Sequence, residues 1–319
     1  MMLGSNPQRK GRILPADALA VAEAATVLRD GGIVAVPTET VYGLAADASN
    51  ANAVAKIYAA KGRPDFNPLI VHVPDVEAAE AIAHFDDTAA ALADRFWPGS
   101  LTLVLPMKAD AKIAPAVTAG LPTIALRCPS HPVMQALLLA SGLVVAAPSA
   151  NRSGAISPTT AAHVAASLGD AAPLIIDAGA CRAGLESTIV AVRADGWKIL
   201  RPGPITASEI EAALGIPPLD QSEAGIEAPG QLASHYAPTK PVRLNADTAK
   251  SDEWHIGFGA ISGDENLSTH GNLAEAAANL FAALHRADAS DRLAIAVAPV
   301  VSEGIGVAIN DRLQRAASR

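Results

Sequence analysis

From about residue 13 to residue 210, short runs of Val, Ile and Leu alternate with Ala-rich stretches of helical period. That alternation limits this part of the chain to a mixed α/β domain. Candidate strands fall at 33–37, 69–73, 101–107, 123–128, 143–147, 174–177, 187–192 and 197–200, and candidate helices at 16–30, 51–60, 87–96, 132–141 and 159–168. Asn50 and the pair Ser157-Pro158 are expected to start the helices that follow them. Strand follows strand directly over 187–200, so antiparallel pairing is expected there, which argues against a plain doubly wound parallel sheet.

With 319 residues, 50% of them hydrophobic, the chain is long enough for two domains. Aromatics are only 3%, so the core must be built from Ala, Val, Leu and Ile. A net charge of −8 argues against a surface made wholly for nucleic acid, although a local basic pocket remains compatible with it. Cys128 and Cys181 form neither a disulfide framework nor a zinc cluster; they read as small buried fillers in a reducing cytosol. The polar, basic stretch 1–12 lacks the apolar core of a signal peptide, and no apolar run is long enough to span a bilayer. A cytoplasmic protein with no membrane partner is expected.

Between 215 and 241 the pattern breaks into Pro, Gly, Ser and acidic residues, an interdomain linker separating domains at 1–214 and 242–319. Inside it stands a proline-framed island, Pro229-Gly230-Gln231-Leu232-Ala233-Ser234-His235-Tyr236-Ala237-Pro238. A spacer has little use for a His-Tyr pair, so the island is expected to dock as a lid. Beyond it, strands at 242–244, 255–258 and 293–298 flank a helix at 273–286, with a last helix at 307–316, a small α/β domain. Gly304-Ile305-Gly306 is too short for a phosphate-binding loop.

Chemistry-bearing residues gather at strand and helix ends, where open α/β sheets place ligands. Lys61-Gly62-Arg63, with Asn67 and His72 close behind, offers two cations at a helix exit, able to converge on phosphate oxygens or simply to complement the helix dipole. Pro37-Thr38-Glu39-Thr40 is a hydroxyl-rich strand exit. Thr123-Ile124-Ala125-Leu126-Arg127 ends in a guanidinium suited to a carboxylate or to an acid on the surface. Ala147-Pro148-Ser149-Ala150-Asn151, with Ser157, suits phosphates and ribose or is a capped turn. Glu186-Ser187-Thr188 and Arg201-Pro202-Gly203 add hydroxyls and one more cation. No paired-carboxylate, metal-ligand or Ser-His-Asp motif accompanies them. Such an inventory fits positioning and charge neutralisation around a nucleotide, as in nucleotidyl transfer, with Mg²⁺ arriving on the phosphates.

These motifs, in this order, resemble the YrdC/Sua5 family of threonylcarbamoyl-AMP synthases, whose signature is the Lys-x-Arg plus Ser-x-Asn combination. Ser234-His235-Tyr236-Ala237-Pro238 and the stretch Gly304-Ile305-Gly306-Val307-Ala308-Ile309-Asn310-Asp311-Arg312-Leu313 are similar to the linker and C-terminal domain of the longer Sua5 form. The resemblance implies a YrdC-like twisted mixed sheet joined to a Rossmann-like C-terminal domain. It implies an enzyme that converts L-threonine, bicarbonate or CO₂ and ATP into L-threonylcarbamoyladenylate and pyrophosphate. Downstream threonylcarbamoyl-transferase proteins would use the product for the t6A37 modification of tRNA. Carried over, Lys61, Arg63, Asn67, Thr123, Ser149, Asn151, Ser157 and Arg201 would face ATP, Lys61 and Arg63 being catalytic. His235 and Tyr236 would cover the nucleotide, and Thr40, His72, Arg127 and Ser187 would contact threonine. Where the family often has an acid after Ser187-Thr188-Ile189-Val190, this chain has Ala191-Val192, a change expected to affect packing only. An RNA-binding module and a carbamoyl-transfer domain are the competing readings. The acidity of the chain, the absence of stacking aromatics and the lack of zinc-type cysteine pairs count against them.

Overall fold

Runs such as Val34–Val36, Ile70–His72 and Leu101–Pro106 are buried along almost their whole length, as strands covered on both faces must be. The computed structural model describes residues 11–64, 66–219, 227–228 and 235–318. Residues 1–10 and 229–234, the first part of the island, lie outside them. The strands of the first domain are β1 (Ile13–Pro15), β2 (Val34–Val36), β3 (Gly43–Asp47), β4 (Ile70–His72), β5 (Leu101–Pro106), β6 (Thr123–Arg127), β7 (Val145–Ala146), β8 (Leu174–Asp177), β9 (Thr188–Arg193) and β10 (Gly196–Arg201). They form one mixed sheet in the order β1-β8-β2-β3-β7-β4-β6-β5-β9-β10. As the strand succession predicts, β9 and β10 are antiparallel. The parallel pair β4 and β6 sets His72 beside Arg127, which brings the two side chains to the same face of the sheet.

Helices Ala18–Arg29, Ala51–Lys61, Asp87–Phe96, Pro132–Ser141 and Ala161–Leu168 stand where helical period was read. Asn50 caps its helix by accepting from the amides of Asn52 and Ala53. The expected start at Ser157-Pro158 is displaced: Thr160 is the cap, its hydroxyl accepting from the His163 amide. β1 and β3 and the helices Val76–Glu80, Pro115–Thr118 and Ala207–Leu214 were not anticipated by the periodicity.

The second domain has a four-stranded parallel sheet of β11 (Val242–Arg243), β12 (Glu253–Gly257), β13 (Glu265–Asn266) and β14 (Ala294–Val297), ordered β11-β14-β12-β13. Helices Leu273–Ala289 and Gly306–Ala317 complete its core around Leu280, Phe281, Leu284, Ile295 and Ile309. That core does not stop at the domain edge. Val41, Ile156 and Leu185 of the first domain join the same cluster, together with Tyr236. Gly184 shows how closely the two parts meet: its φ is +68°, and a Cβ there would lie 2.5 Å from the Ala277 carbonyl oxygen. Only glycine meets both demands.

Of the described parts of 215–241, residues 215–219 and 227–228 follow the first domain, while 235–241 reach the second, where Thr239 and Lys240 donate to Asp288. Trp197 Nε1 donates to the Ile216 carbonyl at 3.1 Å, and Glu227 pairs with Lys198 at 3.2 Å and with Arg193. Ala228 is buried against Ile70, Val104, Ala125, Ile189 and Ala191. Ala191, where the resemblance led to an acid being expected, is therefore a packing position under this segment. Cys128 and Cys181 are both buried and unpaired, and burial pushes their thiols up to about 11 and about 12. Among the described residues no helix is long and apolar enough to cross a membrane.

Candidate active site

Helix Ala51–Lys61 ends in Gly62, whose φ of 58° lets the chain reverse in the left-handed region that glycine tolerates. That reversal separates the tasks of the two cations beside it. Lys61 is 3% exposed, and its Nζ donates to the carbonyls of Ser149 at 2.5 Å and Asn151 at 2.6 Å. It therefore ties the helix exit to the Ser-x-Asn loop. Arg63 donates from Nε to the Asn67 carbonyl at 3.2 Å and from Nη2 to the Pro68 carbonyl at 2.9 Å, tethering the approach to β4. Burial, with the neighbouring Arg63 charge, pulls the Lys61 ammonium well below its usual range, and burial brings Arg63 down to about 10.

Arg127 closes β6 and faces a different set of partners. Its Nη1 donates to Thr40 Oγ1 at 2.9 Å, its Nη2 to Glu39 Oε1 at 2.6 Å and its Nε to the Gly99 carbonyl at 3.1 Å. Three of the five guanidinium donors are thus used, and one N–H on each terminal nitrogen remains for a carboxylate. Burial alone would raise the Glu39 carboxyl, but the Arg127 charge and hydrogen bonds to Arg127 and the Ser130 amide hold it below the carboxylate range. Ser187 Oγ is 2.7 Å from Thr102 Oγ1 and accepts from Arg201 Nη2 at 3.1 Å, while Arg201 also donates twice to the Ser187 carbonyl.

One cavity unites these groups. Thr40, His72, Arg127 and Ser187 line it together with Arg63, Ser149 and Arg201, and His235 and Tyr236 of the linker complete the wall. Asn67, Asn151 and Ser157 are buried close to these residues in the chain. Ser157 donates its hydroxyl proton to Glu186 Oε1, and the Asn151 amide nitrogen donates to the carbonyls of Arg152 and Ala155. Thr123 is placed apart, at the opening of β6 four positions before Arg127, and is not among the lining residues. Buried polar atoms cluster here without a hydrogen-bond partner: both amide atoms of Asn67, Asn151 Oδ1, His72 Nδ1 and His235 Nδ1. Folded proteins seldom tolerate such groups unless a ligand or water serves them.

His235 is surrounded by cations. Burial first, then the charges of Lys61, Arg63, Arg201 and Arg312, drive its imidazole well below the usual range, so it is neutral. Those same cations define where a polyphosphate would be drawn. Two acids absent from the expected site residues belong to this network: Glu186 lines the cavity, and Glu39 pairs with Arg127, which lines it. Each stands beside a hydroxyl residue singled out in the sequence, but their arginine partners lie 88 and 126 positions away, so nothing local marked them.

His72 gives this site a pH signature. Burial, reinforced by Arg127, lowers its imidazole to about 3. Between that value and the ordinary 6.5 or so, the unfolded chain binds a proton that the folded chain refuses, so stability falls as pH drops through this window. The expected slope from His72 is about 1.4 kcal/mol per pH unit. Urea unfolding at pH 7 and pH 5 measures it, and His72→Gln should flatten the dependence by that amount; an unchanged slope would remove His72 as its source.

Residues 26–203 match the profile of the Sua5, YciO and YrdC proteins, described as telomere recombination, and residues 205–318 match the threonylcarbamoyl-AMP synthase C-terminal domain. The threonylcarbamoyl-AMP synthase of Bacillus subtilis is 42% identical over 93% of this chain and 92% of its own length. That of Pyrococcus abyssi is 39% identical over 92% of each. Among solved structures, a His-to-Ala, Tyr-to-Ala double variant of P. abyssi Sua5 superposes with a TM-score of 0.88, at 36% identity over 96% of each chain. The same protein complexed with L-threonine gives 0.87, at 36% identity over 96% of this chain and 97% of that one. The two profiles follow one another along the chain, and the chain belongs to the threonylcarbamoyl-AMP synthase family in its two-domain Sua5 form.

Proposed function

We propose that the cavity joins L-threonine, bicarbonate or CO₂ and ATP into L-threonylcarbamoyladenylate, releasing pyrophosphate as a nucleotidyltransferase. The observation that carries this reading is the division of one cavity into two halves. Arg127, Thr40 and the neutral His72 form a pocket for an amino-acid carboxylate and hydroxyl, while Arg63 and Arg201, with Lys61 behind them, gather positive charge beside Ser149 and Asn151. The P. abyssi relative binds L-threonine, which supports giving the first half to threonine.

In the reaction, the threonine nitrogen bonds to the carbon of CO₂, which bicarbonate supplies on protonation and loss of water; one C=O π pair moves onto oxygen and the amine proton passes to solvent, leaving a carbamate. A carbamate oxygen then bonds to the α-phosphorus of ATP, and the bond from that phosphorus to the bridging oxygen breaks, its electron pair leaving with pyrophosphate. Arg63 and Arg201 stabilise charge growing on the phosphates, an effect strongest where water is excluded. Arg127 holds the threonine carboxylate so that the amine is presented to its partner. Glu39 and Glu186 are committed to Arg127 and Arg312, which leaves no free carboxylate pair at the cavity among the described residues; Mg²⁺ enters on the phosphates as part of the substrate. His235 and Tyr236 form part of the cavity wall beside Arg63 and Arg201, so ATP enters while this segment is withdrawn and is covered when it returns. The P. abyssi double variant lacks a histidine and a tyrosine, and the single His-Tyr pair of this chain is His235-Tyr236. Transfer of the product to tRNA as the t6A37 modification belongs to separate threonylcarbamoyl-transferase proteins.

The test is to incubate the purified chain with ATP, Mg²⁺, bicarbonate and either L-threonine or L-serine, and to look for a new adenylate by rapid chromatography and mass spectrometry. A threonine- and bicarbonate-dependent adduct with pyrophosphate is the expected result. Absence of both, with ATP bound, would overturn the reading and favour an RNA-binding role.

A further inference from the structure

The second domain reaches the cavity wall, and Arg312 is the side chain that joins two of the lining residues. Arg312, on the helix Gly306–Ala317, is 0% exposed, and its Nε donates to Glu186 Oε2 at 2.8 Å. The guanidinium carbon lies 5.1 Å from the centre of the Tyr236 ring, within range of a cation–π attraction. Its Nη1 donates to Asp311 Oδ2 at 2.6 Å, whereas Nη2 is buried without a partner. A buried arginine that served only to join two domains would ordinarily have its donors satisfied.

Both of its cavity-lining partners need holding. Glu186 adjoins Ser187, which takes the Arg201 bonds, and Glu186 also accepts from Ser157. Tyr236 has a φ of 62°, a conformation that a bulky residue keeps only when its surroundings enforce it. Arg312 lies against its ring, Phe281 approaches to 5.7 Å between ring centres, and the amide of His235 donates to the Arg315 carbonyl. All three supports come from the second domain.

We propose that Arg312 is a positioning residue of the synthase site. By pairing with Glu186 and carrying the Tyr236 ring, it fixes the closing segment over the nucleotide half of the cavity, so the second domain is a structural part of the active site. This rests on the synthase reading above. Of the threonine-facing residues, Thr40, His72 and Arg127 share no hydrogen bond or ion pair with Arg312, and Ser187, which follows Glu186, is bonded through its hydroxyl to Thr102 and Arg201 instead.

The experiment measures affinities of the full chain for MgATP and for L-threonine by calorimetry, alongside adenylate formation, in the unsubstituted protein, Arg312→Met and Arg312→Lys. Arg312→Met should weaken MgATP binding by about tenfold. Threonine affinity should stay within about twofold, as for sites that share no contacts. Arg312→Lys, which keeps the charge, should recover part of the loss. Glu186→Gln combined with Arg312→Met removes both charges of the buried pair and should show the same selective loss, which keeps the test open if the single variant fails to fold. Unchanged MgATP affinity in the double variant would overturn the proposal, as would equal losses for both ligands, the mark of a general loosening. If the unsubstituted protein binds both ligands yet makes no adenylate, the synthase reading fails, while the affinity comparison still decides the role of Arg312.

Discussion

Arg63→Ala should lower kcat/KM for adenylate formation by about 10²–10³-fold, the scale on which removing one preorganised transition-state contact acts. Arg63 lines the cavity and is steadied by the Asn67 and Pro68 carbonyls, so its guanidinium is held in place before any ligand arrives. Its loss removes charge where pyrophosphate builds up and frees the approach to β4. Arg63→Lys separates the two effects: it restores a charge but not the fork that grips both carbonyls, and should recover only part of the rate. Steady-state kinetics with varied ATP decide the matter. Turnover of Arg63→Ala within a few-fold of the unsubstituted protein would take Arg63 out of the reaction.

Arg127→Met should cost both stability and threonine binding. Its partner Glu39 is 5% exposed, and stripping a cation from a buried carboxylate typically costs about 3–5 kcal/mol. Urea unfolding reads that loss. The companion substitution Glu39→Gln, added to Arg127→Met, removes the stranded charge and should return most of the stability without returning threonine affinity. Calorimetry with L-threonine is then the deciding measurement, since a double variant that still binds threonine would show that Arg127 is not the carboxylate clamp.

The parts of this molecule that were readable in advance share a physical cause. Helices Asp87–Phe96 and Pro132–Ser141 and the strand Leu174–Asp177 fall where they were expected because hydrophobic period and end signals coincide there. β3 escaped notice because Gly-Leu-Ala-Ala-Asp has little intrinsic strand preference; pairing with β2 and β7 makes it a strand. Cations and hydroxyls of the site were visible as local clusters. Glu39, Glu186 and the reach of Arg312 were not, because each depends on an ion pair spanning the fold, and in the second domain no residue by itself indicated contact with Tyr236.

The order of strands in the first sheet also bears on how the protein is made. β1 sits at the edge, and its one neighbour in the sheet is β8, so Leu14 waits for Ile176, roughly 160 residues further along. At the usual pace of translation, that delay is roughly ten to thirty seconds. During it, the nascent chain carries an unpaired strand and the half-covered helix Ala18–Arg29 behind it. A chaperone that shields apolar segments as they leave the ribosome should therefore raise the yield of this protein most when translation is slowed before residue 177.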